Sequence, residues 1–167
     1  MQLAATQEKL KAAGVETLAV VNTQLERARL YVRYRPTRLT LLADPEAATH
    51  RAYRLPALEL VDEAPAGVWP LKATLGQIQA VAINPTGELP EPLNPIEAST
   101  ALNQKDGFQL TPVDEQIDAA HGSQLAGHFL VDRHGILRWT QVEAKDRIAD
   151  LGTFPSEEEI LTAARTL

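Results

Sequence analysis

The sequence predicts an α/β fold in which a parallel sheet is layered with helices. Three observations carry this. The run Val15–Val21 is largely apolar and follows a helical pattern at once, as a strand covered on both faces does. Helix-start signals then alternate with short apolar runs, giving the order α-β-α-β-α. Near the other end, two apolar runs flank Arg133-His134-Gly135, the pattern of a β-hairpin.

Residues 1–13 form the first expected helix, with Leu3, Gln7, Leu10 and Ala13 near one stripe and Gly14 as the C′ residue. No Ser, Thr, Asp or Asn precedes the pattern. A helix that starts at the first residue often had more chain before it; the plain alternative is a frayed terminal helix. After the strand, Asn22 and Thr23 offer N-cap oxygens for a helix from about Gln24 to Tyr34, which Pro36 stops. Leu39–Leu42 is a second short apolar run. Asp44-Pro45-Glu46 then starts a helix, with a capping carboxylate, Pro at N1 and an acid at the positive dipole end.

The middle differs: eight of the eleven prolines lie between Pro56 and Pro112, so this stretch reads as an insertion at about 57–125. Gln77–Asn84 alternates as a strand does, and Pro85-Thr86-Gly87 turns the chain. Pro90, Pro92 and Pro95 make a stiff connector. Asn94-Pro95-Ile96-Glu97 and Thr111-Pro112-Val113-Asp114 start helices at about 95–104 and 112–122. The hairpin spans Gly127–Asp132 and Ile136–Val142. Ser156–Glu159 is a capping box before an amphipathic last helix with Ile160, Leu161, Ala164 and Leu167. The expected buried layer of the sheet is Leu18, Val20, Leu41, Phe129, Val131 and Leu137. Trp69 and Trp139 are expected as core or interface anchors.

A length of 167 residues fits a single domain spanning 1–167. The net charge of −6 argues against nucleic acid as a partner. No run approaches the ~18 apolar residues that span a bilayer, and the first residues lack a signal peptide's basic start and apolar core. The expectation is therefore no membrane partner and a cytoplasmic location. The chain has no cysteine, which excludes disulfides, thiolate metal sites and a cysteine nucleophile within it. There is no glycine-rich phosphate loop and no G-x-S-x-G elbow. No cofactor and no metal are expected.

Three blocks together resemble a known group of proteins. Gly14–Val20 (G-V-E-T-L-A-V) is similar to a strand of redoxins and peroxiredoxins. Leu41–Glu46 (L-L-A-D-P-E) followed by His50–Leu55 (H-R-A-Y-R-L) resembles their "L-L-S-D-P … A-Y-G-L" segment. Phe129–Trp139 (F-L-V-D-R-H-G-I-L-R-W) resembles their "F-L-I-D-x-x-G-x-I-R" hairpin. The group is the alkyl hydroperoxide reductase C / thiol-specific antioxidant branch of the thioredoxin-like proteins. The resemblance implies a thioredoxin-like fold, with a central mixed sheet flanked by helices and the proline-rich insertion before the C-terminal hairpin and helix. It implies thiol-dependent reduction of peroxides or disulfides, an antioxidant activity. Members carry the reactive cysteine at the start of the first helix, where the helix N-terminus helps lower the thiol pKa. Here that position falls upstream of Met1, so the expectation is a truncated or degenerate member with no catalytic residue of its own. The hairpin entrance also departs: Leu125-Ala126-Gly127-His128 stands where relatives carry a cis-proline or an arginine.

The position of that entrance makes Ala126, Gly127 and His128 candidates for a substrate-side pocket; the bland alternative for His128 is a partly exposed strand histidine. His121, His128 and His134 match no metal-ligand spacing. Arg27, Arg33, Arg35 and Arg38, with Arg29, interleave with Tyr31 and Tyr34 and form a candidate anion site. An exposed helix face whose arginines pair with acids elsewhere explains them as well. Losing a first strand exposes a sheet edge, so a homodimer across that edge, or its coverage by the insertion, is expected. A protein redox partner is expected if an upstream cysteine exists. The alternative reading is a non-catalytic protein-binding or scaffold module.

Overall fold

The structure, a computed structural model, describes residues 2–64 and 71–167. Trp69 lies outside the described residues, as does the side chain of Leu3. Helix α1 (Gln2–Ala12) ends as Gly14 predicts. Gly14 takes φ +79°, its N–H donates to Lys11 O at 3.0 Å, and the N–H of Val15 donates to Leu10 O at 2.9 Å. This paired bonding satisfies the last carbonyls of the helix and folds Val15 back onto Leu10.

Next come β1 (Leu18–Val21), α2 (Leu25–Tyr34), β2 (Thr40–Ala43) and α3 (Ala48–Ala52). β1 and β2 pair in parallel, from Leu18 opposite Thr40 to Val21 opposite Ala43. The β-α-β order is as expected, with two local differences. Asn22 and Thr23 do not cap α2; Gln24 takes the N-cap position without a side-chain bond. Asp44 does act as a cap, accepting from the N–H groups of Ala48 and Thr49 at 3.0 and 2.7 Å. The helix starts only at Ala48, because Ala47 enters the left-handed region at φ 51°.

The insertion holds β3 (Ala57–Leu60), β4 (Lys72–Ala73), α4 (Leu75–Gln79), α5 (Pro95–Asp106), α6 (Pro112–His121) and β5 (Ser123–Gln124). The expected strand at 77–84 is not formed. Thr74 and Gln77 make a capping box, with Gln77 N–H on Thr74 Oγ1 at 3.2 Å and Thr74 N–H on Gln77 Oε1 at 2.8 Å, so the segment starts as a helix. Only Ile83 retains a ladder contact, a bridge to Leu93. The two proline-started helices appear where expected, and Asn94 Oδ1 accepts from the N–H groups of Ile96 and Glu97.

The hairpin β6 (Gly127–Val131) and β7 (Leu137–Val142) and the last helix α7 (Glu157–Ala164) complete the chain. Asp132 closes the hairpin turn by accepting from the N–H groups of His134 and Ile136 at 2.8 and 3.0 Å. Ser156 and Glu159 form the predicted capping box.

The architecture is mixed α/β, with seven α-helices and three small sheets among the described residues. The expected central sheet is not present among them. β3 pairs with β4 and β5, β1 only with β2, and β6 only with β7, so the insertion's strands bridge none of the others. The core is correspondingly divided. One cluster joins Leu10 of α1, Leu130 of β6 and Ile160 and Ala164 of α7, with Val15 and Trp139 packed against it. A second joins Leu71, Leu125 and Ala144, with Leu58, Ile148 and Leu151 around it.

None of the six side chains expected in the buried layer is buried. Leu18, Val131 and Leu137 are exposed, and Val20, Leu41 and Phe129 are half-buried. In the hairpin the inward face is the other one: Leu130, opposite Trp139, points into the core because α1 and α7 lie on that side. Leu10→Ala is expected to cost about 2–5 kcal/mol, since it opens a cavity in a closed cluster. Leu18→Ala is expected to cost less than about 1 kcal/mol, because much of that side chain is already in water. Urea unfolding of the two variants measures both; equal costs would place β1 in the core and contradict this division.

Candidate functional site

The sequence singles out two groups, and the structure gives each a definite setting. At the hairpin entrance, Ala126 is held by Glu143. The Ala126 N–H donates to Glu143 Oε2 at 3.0 Å, while the Glu143 N–H donates to Ala126 O at 2.9 Å. The other carboxylate oxygen accepts from Gly152 N–H at 2.6 Å. This buried carboxylate therefore ties the start of β6 to the loop before α7. A Cβ at Gly127 would lie 2.6 Å from Leu55 Cδ2 and 2.7 Å from the Phe129 ring, so those side chains would have to shift to admit one. His128 donates from Nδ1 to Gln141 Oε1 at 3.2 Å and lies 6.0 Å from the Phe154 ring. Burial holds its imidazole pKa below the usual value, against the opposing pull of Gln141 and Glu143. The three residues are adjacent but closely packed, and neither of the two cavities described below is lined by them.

The arginines divide. Arg27 forms a two-pronged pair with Asp114, Nε to Oδ1 at 3.0 Å and Nη2 to Oδ2 at 2.5 Å, and it lies 4.8 Å over the Phe108 ring. Its Nη2 also donates to the Gln109 carbonyl. Arg35 pairs with Asp106 through two nitrogens and with Glu88 at 2.7 Å. Glu88 also takes Lys105 at 2.7 Å, and these donors pull its pKa down to about 2. Both guanidinium groups thus hold carboxylates of the insertion, as the helix-face alternative expects. Arg33 and Arg38 stay exposed and, among the described residues, have no ion-pair partner. Their charge is available to an anion, but they are not gathered with Arg27 and Arg35 around one cavity.

A third polar group lies at the carboxyl ends of β1 and β2. Asp44 follows β2, and His50 Nδ1 stands 4.0 Å from its Oδ2, both side chains nearly enclosed. Burial raises the Asp44 pKa, but the N–H groups of Thr49 and Ala48 more than reverse this and leave it low. Burial lowers the His50 pKa; Asp44 opposes this and His121 adds to it. His121 closes α6 and donates from Nε2 to Pro45 O at 2.9 Å. His50 Nδ1 and Asn22 Oδ1 are buried without a hydrogen-bond partner among the described residues. A cavity of about 310 Å³ opens between Asn22-Thr23, the face of α6 and Gly122–Gln124. A second, of about 280 Å³, lies between α4 and the turn at Ile148-Ala149 and is lined largely by apolar groups. No group of three metal-ligating side chains gathers among the described residues, and no described helix is long and apolar enough to cross a membrane.

No family model, no curated protein and no solved structure matches the chain. The geometry of these groups therefore has to carry the functional reading.

Two outcomes follow from this geometry. A double-mutant cycle of Arg27→Ala and Asp114→Ala, read by urea unfolding, is expected to give a coupling above about 1 kcal/mol, more than exposed pairs show. Additive single costs would remove the pair as a tether. The second concerns pH. His50 and His128 have folded pKa values below the unfolded ~6.5. Below that value the unfolded chain binds more protons, so their contribution is complete above about pH 6.5 and is lost as pH falls toward the folded values. Stability is expected to fall between pH 7 and the onset of carboxylate protonation. The decline should shrink in His50→Gln and His128→Gln, whereas a flat profile in the parent chain would contradict the burial of both rings.

Proposed function

We propose that this chain is a non-catalytic binding module on a thioredoxin-like frame, and that its contact surface is the outer edge of β1. The frame is supported by the order β1-α2-β2, then the hairpin β6-β7, then α7, in which the three redoxin-like blocks fall in sequence. Thiol reduction of peroxides has no nucleophile in the 167 residues, because none is cysteine. The observation that carries the binding reading is the state of the parallel pair. Parallel strands are ordinarily covered on both faces and flanked on both sides. Here Leu18 and Leu42 are 52% and 45% exposed, and β1 has no second strand partner among the described residues. A free edge of this kind takes up an extended strand, whose main chain completes the ladder while alternate side chains fall beside Leu18 and Val20.

The occupant favoured by the sequence is a second copy of the chain, because Leu-Ala-Val-Val is itself an apolar extended segment with an open edge. Antiparallel pairing about a two-fold axis at Ala19 sets Leu18 of each copy opposite Val20 of the other and joins them to Leu42 in one apolar stripe. The parent chain is expected to run as a dimer by light scattering in the micromolar range. Leu18→Glu is expected to run as a monomer that still unfolds cooperatively, with a thermal midpoint that no longer depends on protein concentration. A parent chain that stays monomeric throughout that range would overturn the self-pairing.

A further inference from the structure

The cavity at the carboxyl end of β1 belongs to neither group that the sequence singles out, and it is separate from the strand edge. Ligands of open α/β sheets collect outside the carboxyl ends of parallel strands, and this cavity lies there, beside Asn22 and Thr23. Its volume of about 310 Å³ is at the small end of ligand pockets. The opposite wall is α6, which is fastened at both ends, by the Arg27–Asp114 pair near its start and by His121 on Pro45 O at its finish. The cavity is therefore formed before anything enters it, which lowers the ordering cost of binding.

The wall chemistry selects the ligand class. Asn22, Thr23, Ser123 and Gln124 contribute neutral polar groups, and Ile117 contributes an apolar patch. Among the described residues no lysine, arginine or histidine lines it. Asp114 is neutralised by the bidentate Arg27. Among the described residues Asp118 pairs with no cation, and its Oδ1 accepts from the Ser123 hydroxyl alone, at 3.4 Å. Ser123 adds a hydroxyl oxygen that can also accept. An anion entering here would meet repulsion from Asp118, and an apolar ligand would strand the polar wall without partners. A compact cation with several N–H donors satisfies both groups.

We propose that this cavity binds a small ligand bearing a primary ammonium group, its charge against Asp118 and its N–H donors shared between Asp118 and Ser123. The test is an NMR titration of the full chain with putrescine, with the diol of equal length and inorganic phosphate as comparisons. Putrescine is expected to give saturable shifts at the amides of Asn22, Thr23, Ser123 and Gln124, and the diol and phosphate none. Asp118→Asn, an exposed substitution, is expected to weaken putrescine by about tenfold, a loss of ~1.4 kcal/mol. Asp62→Asn, which removes an exposed acid elsewhere, is expected to leave the affinity unchanged. The proposal is overturned by binding of the diol at equal strength. It is overturned equally by non-saturating shifts spread over the acidic surface, or by an equal loss in the two variants, each of which would mean general attraction to a chain of net charge −6.

Discussion

Two guanidinium groups on one short helix decide where the insertion lies. Arg27 and Arg35 both project from or just beyond α2 toward α5 and α6, and each holds a carboxylate there through two nitrogens. Phe108 is placed between them, under Arg27 and edge-on to Tyr34 with ring centroids 5.7 Å apart. A planar, permanently charged fork suits this task better than lysine would, because two parallel hydrogen bonds fix direction as well as distance. With α6 placed in this way, its far end reaches Pro45 and its inner face closes the cavity beside β1. The polar groups at the carboxyl ends of the parallel strands are thus assembled by contacts made elsewhere on the helix.

The features legible in the sequence are those set by neighbours a few residues apart. Gly14, Asn94-Pro95, the Ser156–Glu159 box and the Asp132–Gly135 turn all do locally what their residue types dictate. The strand expected at Gln77–Asn84 fails for the same reason. Alternation over a short apolar run is compatible with either state, and the Thr74–Gln77 box just upstream settles it as helix. Which face of the hairpin turns inward was not legible. Phe129, Leu130 and Val131 are all apolar, and the choice is made by α1 and α7, which are distant in sequence. The candidate site was legible only in fragments. Asp44 reads as a cap, and His50 lies near it on the helix it caps, but the approach of His121 to Pro45 depends on the docking of α6. Glu143 gives no local signal at all; its two N–H partners lie 17 residues before it and 9 after it.

The resemblance to redoxins and the divided core bear on each other. The β-α-β unit and the hairpin are both present, yet the parallel pair contributes to neither hydrophobic cluster. An isolated two-stranded sheet is marginal in water, and in this pair Leu18 and Leu42 meet solvent. The apolar composition of β1, which made it read as a buried strand, is retained at a place where the side chains meet solvent. This mismatch between composition and exposure is what supports the proposed interface.

The contact between α1 and α7 has a consequence for how the chain is made. Leu10 packs on Ile160 and Ala164, and Lys9 pairs with Glu157 across 148 residues of sequence. During synthesis the first helix leaves the ribosome long before its partner exists. The β-α-β unit and the β6-β7 hairpin can each close locally as they emerge, but the α1–α7 cluster waits for the final helix. Until then Leu10 and Val15 are exposed to whatever the surroundings offer, including the unfinished neighbours on a polysome.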